Sequence, residues 1–168
     1  RRDQQVLGRR IPFEIEFALC QRVVGTHQAG KGVVIDVQDA ETVLFVDDEP
    51  SITTALRRAL SRESFEVQTA NTIADAFAVL RSGDVAVVVS DERMPEMSGS
   101  DFLSEVRKRH PDTMRLILTG HASLNTAIHA VNHAEIFRFL TKPCSTEDLA
   151  SSIREAISVR QRQIRTTF

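Results

Sequence analysis

Acidic, hydroxyl and amine side chains stand directly after four short apolar runs of this 168-residue sequence. Asp47 and Asp48 follow the first run, Asp91 the third, Thr119 the fourth and Lys142 the fifth. If the runs are parallel strands, their carboxyl ends lie along one edge of a sheet, which is where α/β proteins bind ligands. The spacing therefore predicts that these groups meet in one site.

The residue types of this site indicate phosphoryl chemistry on a metal ion. Neighbouring carboxylates raise one another's pKa until a cation enters, and three of them supply hard oxygen ligands that are too few for tight calcium binding. Mg2+ is the expected ion, since it keeps waters and binds through one or two carboxylates plus phosphate oxygens. One carboxylate would act as the nucleophile. Lys142 would add a positive contact and Thr119 a hydroxyl hydrogen bond.

The apolar runs predict a doubly wound, five-stranded parallel α/β sheet. Runs such as 85–89 lack polar alternation, which is typical of strands that are buried on both faces. The predicted strands are Val43–Val46, Phe65–Thr69, Val85–Val89, Arg115–Leu118 and Ile136–Leu140. Amphipathic helices are predicted from Pro50, after a cap at Asn71 or Thr72, from Gly99 to His110, over 123–133, and after a cap at Thr146.

Four motifs in this order resemble the receiver domain of two-component response regulators, over residues 42–162. The motifs are VLFVDDE at 43–49, VVSDERMPEMSG at 88–99, LILTG at 116–120 and FRFLTKP at 137–143. The resemblance implies a flavodoxin-like receiver with strand order 2-1-3-4-5. We expect the receiver domain to span residues 42–165.

The resemblance also implies a role for each matching residue. Asp91 corresponds to the phosphoacceptor and Asp48 to the direct Mg2+ ligand. Asp47 corresponds to the acid that holds the metal through water, and the backbone carbonyl of Arg93 completes the metal site.

The remaining motif residues correspond to the phosphate contact and the switch. Lys142 matches the phosphate-contacting lysine, Thr119 the switch hydroxyl and Phe139 the switch aromatic. Phe139 replaces a common Tyr and therefore cannot hydrogen-bond, while Gly120 stands where Ala is frequent. Arg93 and His121 occupy positions at which the family varies its dephosphorylation rate.

The implied function is a phosphorylation switch in signalling and not an enzyme of metabolism. A partner histidine kinase or phosphotransfer protein would phosphorylate Asp91 in the presence of Mg2+. The modification would repack the face formed by the predicted 123–133 helix, the fifth strand and the last helix, and so control an output domain or partner protein. The same face could form a homodimer. Only self-phosphorylation and slow autodephosphorylation are expected as catalysis, in the bacterial cytoplasm.

Two other functions fit parts of the pattern. A Mg2+-dependent phosphatase with an aspartate nucleophile would need an Asp-x-Asp-x-Thr string, which residues 47–51 do not supply. An interaction domain without phosphoryl chemistry would not need the full acid set.

Residues 1–41 follow a different pattern and predict a β-hairpin appendage. Residues 11–19 alternate with strand period, 25–32 are turn-like, and 33–37 form a second apolar run. The segment resembles the C-terminal strands of a PAS domain. Its Arg9-Arg10 pair is also similar to PilZ domains, but the Asp-x-Ser-x-x-Gly string of that family is missing.

Composition narrows the function classes further. The net charge of −2 favours neither nucleic acid nor anionic lipid as a partner, although the last helix is locally basic. Cys20 and Cys144 lie far apart with no nearby metal-ligand partners, and no apolar run approaches the ~20 residues of a membrane span. His129 and His133 share a helical spacing, but no acidic metal motif accompanies them. The sequence begins without Met, and we expect it to be an excerpt of a longer protein.

Overall fold

The computed structural model describes residues 40–120 and 134–166. The chain divides into two units, Arg1–Val37 and Gln38–Phe168, and all described residues belong to the second. The predicted N-terminal hairpin, the predicted 123–133 helix and His121 lie outside the described residues. These predictions stay untested.

Five parallel strands alternate with helices, as the apolar runs predict. The strands are β1 (Thr42–Val46), β2 (Glu66–Ala70), β3 (Val85–Ser90), β4 (Met114–Thr119) and β5 (Arg138–Thr141). The described helices are α1 (Pro50–Ala59), α2 (Ile73–Ser82), α3 (Gly99–Arg109) and α4 (Thr146–Thr166). The sheet order is β2-β1-β3-β4-β5, which confirms the predicted fold class.

Two hydrophobic clusters cover the two faces of the sheet. One contains Leu44 and Val46 of β1 with Phe102 of α3, and the other contains Val43 and Phe45 with Leu149 of α4. Every residue of β3 and β4 is buried. Burial on both faces explains the continuous apolar run 85–89 of β3, and it makes these two strands the rigid centre that carries the site.

Helix starts agree with the sequence except for the cap of the last helix, and for α2 the structure selects one of the two predicted caps. The Thr72 hydroxyl accepts from the Asp75 N–H and caps α2, so Asn71 is not the cap. The last helix is capped by Ser145, whose Oγ accepts from the Asp148 N–H at 3.0 Å. The predicted cap at Thr146 was wrong by one position, because Thr146 is already the first helical residue.

The fifth strand begins later than its apolar pattern predicts. Glu135 has a positive φ of 46°, and Ile136 is buried in the cluster on the α3 side before the chain becomes extended at Arg138. The predicted start at Ile136 was wrong, because a buried connecting segment and a buried strand are both apolar in sequence. None of the helices within the described ranges is long and apolar enough to cross a membrane.

Candidate functional site

Lys142 joins two acidic side chains at the carboxyl edge of the sheet. Its Nζ lies 2.9 Å from Asp47 Oδ2 and 2.8 Å from Asp91 Oδ1. The register of β1 against β3 pairs Val46 with Ser90, so these two acids follow adjacent strand ends. Their side chains are 7% and 11% exposed, and the ammonium therefore interacts with both carboxylates in a largely buried position.

The two acids raise the pKa of Lys142 by more than burial of its ammonium group lowers it. Burial alone lowers the pKa of Lys142, but its hydrogen bonds to Asp91 and Asp47 and their negative charges raise it above the ordinary value. Lys142 therefore remains charged at neutral pH. The sequence predicted mutual repulsion among the acids, and the structure shows that this cation already offsets it for two of them.

Backbone N–H groups hold the other oxygens of the same carboxylates. Arg93 N donates to Asp91 Oδ2 at 2.6 Å, and Glu49 N donates to Asp47 Oδ1 at 3.0 Å. Each carboxylate oxygen accepts one of these hydrogen bonds and retains capacity for another ligand. The two acids are thus oriented from both sides while their remaining lone pairs stay available.

Asp48 differs from its neighbour Asp47. Its side chain is exposed, and it makes no hydrogen bond or ion pair within the part of the chain that the structure describes. No three His, Cys, Asp or Glu side chains among residues 40–120 and 134–166 form a ready-made metal cluster. Mg2+ does not require one, because it binds through one or two carboxylates and keeps waters. The oxygen donors of Asp48 and Asp91 fit this ion.

The predicted switch residues lie on β4 and β5, the two strands that follow β3 in the sheet order. Thr119 ends β4 and is 1% exposed, and its carbonyl accepts from Lys142 N at 2.8 Å. Phe139 pairs with Ile117 in the β4–β5 register and packs, half-buried, against the hydrophobic cluster on the α3 side. The Lys142–Pro143 peptide bond is cis. Strand pairing thus connects both switch residues to the lysine of the site.

Three residues that the sequence analysis did not assign to the site also shape it. Asn71 donates to the Asp47 carbonyl, Gly99 lies against the Asp91 backbone, and Glu92 binds the start of α3. A polar residue after β2 was the only sequence signal for Asn71. The other two contacts depend on chain segments that meet in space, and no local pattern reports them.

Glu92 anchors the loop after the central acid. The residue is 8% exposed, and its Oε2 accepts from Ser100 N at 3.0 Å and Ser100 Oγ at 2.7 Å. Burial raises the pKa of Glu92, although the two hydrogen bonds from Ser100 oppose the increase. The folded protein therefore holds a proton on this carboxyl more tightly than the unfolded chain does.

We expect Glu92→Gln to be more stable than the parent protein at pH 7, by less than about 1 kcal/mol. The amide oxygen can accept both hydrogen bonds without a buried charge. The difference should vanish below pH 4.5 and grow as pH rises through the folded pKa, because only the parent loses stability as Glu92 ionises. Urea unfolding between pH 4 and 8 measures it. A parent protein that is more stable at pH 7 would contradict this account.

Comparison with known proteins identifies the family. Residues 43–154 match the family model described as the response regulator receiver domain. The chain belongs to this family. The match begins within β1 and ends within α4, so it includes all five strands of the receiver sheet.

Individual relatives agree with this assignment. The receiver domain is 38% identical over 119 residues to the hydrogenase transcriptional regulatory protein HoxA of Cupriavidus necator, covering 71% of this chain and 24% of HoxA. The chain spans about a quarter of the length of the curated relatives that it matches. These relatives are named as transcriptional regulatory proteins.

Solved structures show the same fold. A CheY-like response regulator receiver domain protein from Methanospirillum hungatei JF-1 superposes with a TM-score of 0.70 at 26% identity, covering 74% of this chain and 99% of that one. The beryllofluoride-activated NtrC4 receiver domain dimer gives 0.66 at 34% identity, covering 71% and 98%. The β2-β1-β3-β4-β5 order of this chain matches the CheY-like receiver fold.

Proposed function

We propose that this receiver domain accepts a phosphoryl group on Asp91 from a partner histidine kinase or phosphotransfer protein. The observation that supports this most directly is the position of the Asp91 carboxylate. It lies at the end of the central strand, and its two oxygens accept from Lys142 Nζ at 2.8 Å and Arg93 N at 2.6 Å. These two hydrogen bonds orient the carboxylate, and the side chain is 11% exposed at the sheet edge.

The transfer forms one bond and breaks another. A carboxylate oxygen of Asp91 attacks the phosphorus of a phosphohistidine, and the bond from phosphorus to the imidazole nitrogen breaks. The bonding electron pair leaves with that nitrogen, which then takes up a proton. Lys142 is close enough to Asp91 for its ammonium to contact the oxygens of the transferred phosphoryl group and stabilise their negative charge.

The metal site is proposed from the oxygen donors around Asp91. Asp48, Asp91 and the backbone carbonyl of Arg93 would hold Mg2+, and Asp47 would contact it through water. When bound, the ion supplies positive charge that neutralises the phosphoryl oxygens. Asp47 keeps a second role in the protein itself, since its Oδ2 holds Lys142 at 2.9 Å beside the phosphoacceptor.

The proposed response passes through Thr119 and Phe139. A phosphoryl group adds nearly two negative charges at Asp91, and the Thr119 hydroxyl would turn towards it. Phe139 would then move inward by packing alone and bias the equilibrium between two arrangements of its face. Among the described residues this face comprises β5 and the first part of α4; the resemblance to receivers assigns the 123–133 segment to it as well. An output domain, a partner protein or a second copy would read the change there.

The test compares the parent protein with Asp91→Asn. We expect the parent, incubated with acetyl phosphate and Mg2+, to gain one phosphoryl group by intact mass, and Asp91→Asn to gain none. Amide hydrogen exchange over β5 and α4 should change with beryllofluoride in the parent and not in the variant. Equal phosphorylation of both proteins would assign the acceptor to another residue.

A further inference from the structure

We propose that Asn71 is a positioning residue that holds the loop carrying Asp48 in place for Mg2+. The inference rests on the proposed function, because it concerns the metal site of the same phosphoacceptor. Asn71 follows β2, the one strand whose carboxyl end supplies no acid, hydroxyl or amine to the predicted site. Its contacts give this strand end a part in the site as well.

The Asn71 amide joins two points of the β1–α1 connection. Nδ2 donates to the Asp47 carbonyl at 2.7 Å and to Thr53 Oγ1 at 3.1 Å. An amide nitrogen has two hydrogens, one for each acceptor. A carbonyl oxygen can only accept, which fixes the orientation of the amide with its nitrogen towards Asp47.

These two contacts bracket the loop that contains Asp48. Asp47 is the first residue after β1, and Thr53 lies in the first turn of α1, where it is 2% exposed and its Oγ1 donates to the Pro50 carbonyl at 3.2 Å. The backbone N–H of Asp47 also donates to the Ala70 carbonyl at 3.2 Å. The loop is thus attached to the end of β2 at both of its ends.

Asp48 depends on this attachment more than the other acids do. Asp47 and Asp91 are oriented by Lys142 and by backbone N–H groups, whereas the Asp48 carboxylate has no partner among the residues that the structure describes. Its position therefore follows from the loop backbone. Loss of the Asn71 amide would let the loop move, and the ligand would have to be ordered when Mg2+ binds.

We expect Asn71→Ala to raise the Mg2+ dissociation constant about tenfold, the lower end of the effect seen when groups that orient metal ligands are removed. Isothermal titration with MgCl2 measures this directly, without phosphorylation. The Mg2+ concentration for half-maximal phosphorylation by acetyl phosphate should rise by the same factor. The rate at saturating Mg2+ should stay near that of the parent.

Thr72→Ala is the matched control. Thr72 is the next residue and caps α2 through its bond to Asp75 N at 3.1 Å, so its loss reduces stability without touching the loop. We expect a lower melting temperature and an unchanged Mg2+ dissociation constant. Thr53→Val, which keeps the shape but removes the second acceptor of Asn71, should weaken Mg2+ binding a few-fold. It also tests the inference if Asn71→Ala does not fold.

The outcomes separate the inference from the proposed function. If the parent protein binds Mg2+ and is phosphorylated while Asn71→Ala shows parental Mg2+ affinity, the positioning role of Asn71 is wrong and the function stands. If Thr72→Ala weakens Mg2+ binding as much as Asn71→Ala, the effect is one of general stability and the inference also fails. A parent protein that neither binds Mg2+ nor is phosphorylated removes both.

Discussion

Gly99→Ala should destabilise the protein by about 3 kcal/mol or more and disturb the phosphoacceptor at the same time. A Cβ at residue 99 would lie 2.1 Å from the carbonyl oxygen of Asp91, 2.9 Å from its carbonyl carbon and 3.0 Å from Glu92 Cα. All three atoms belong to the backbone and cannot rotate away. Relief requires α3 or the end of β3 to move, and either shift displaces Asp91.

The same contact carries a hydrogen bond that would be strained. Gly99 N donates to the Glu92 carbonyl at 2.9 Å, so the loop from 91 to 99 closes on itself at this glycine. Urea unfolding measures the loss of stability, and intact mass after incubation with acetyl phosphate and Mg2+ measures the loss of function.

Gly83→Ala is the matched control, because a Cβ at residue 83 meets nothing within 4 Å and its φ of −157° is extended backbone. We expect its stability and phosphorylation to stay close to those of the parent. If Gly99→Ala keeps the parental stability and phosphorylation, the close backbone contacts of residue 99 do not exclude a side chain there, and this prediction is wrong.

The sequence predicts most of the fold because the determinants are local. Continuous apolar runs become buried strands, and polar residues at their ends mark the binding edge, as 85–89 and Asp91 illustrate. The predicted ends of helices and strands are wrong where two adjacent residues have equivalent chemistry. Ser145 and Thr146 can both cap a helix, and only the hydrogen bond to Asp148 N distinguishes them.

The site was only partly predictable for a different reason. The types of its acids and of Lys142 follow from the positions of the strand ends, but their pairing depends on distances across the sheet edge. The sequence could not show that one ammonium contacts both Asp47 and Asp91, or that the Asn71 amide reaches Asp47. These contacts join residues that lie tens of positions apart in the chain, and only the folded backbone brings them together.

Lys142→Met should have a large effect on both chemistry and stability. Methionine can fill much of the space of the lysine stem but leaves the carboxylates of Asp47 and Asp91 facing each other without the shared cation. Removal of one partner from a buried ion pair commonly costs 3–5 kcal/mol, and the 27% exposure of Lys142 reduces the expected loss to about 2 kcal/mol without metal. Added Mg2+ should recover part of this loss.

The effect on phosphorylation of Lys142→Met should be larger than its effect on folding. Loss of one positioned donor to a developing oxyanion typically lowers a rate on the order of a hundredfold, and we expect that factor for acetyl phosphate at saturating Mg2+. Lys108→Met is the control, since Lys108 is 65% exposed and pairs with Glu105 on its own helix. Lys142→Arg should keep the parental stability more closely than its rate, because a planar guanidinium does not replace a compact ammonium between two carboxylates. Intact mass of samples quenched at successive times gives the phosphorylation rates, and urea unfolding gives the stabilities. If Lys142→Met and Lys108→Met have the same rate and the same stability, the ammonium of Lys142 contributes neither to the transfer nor to folding through its contacts with Asp47 and Asp91.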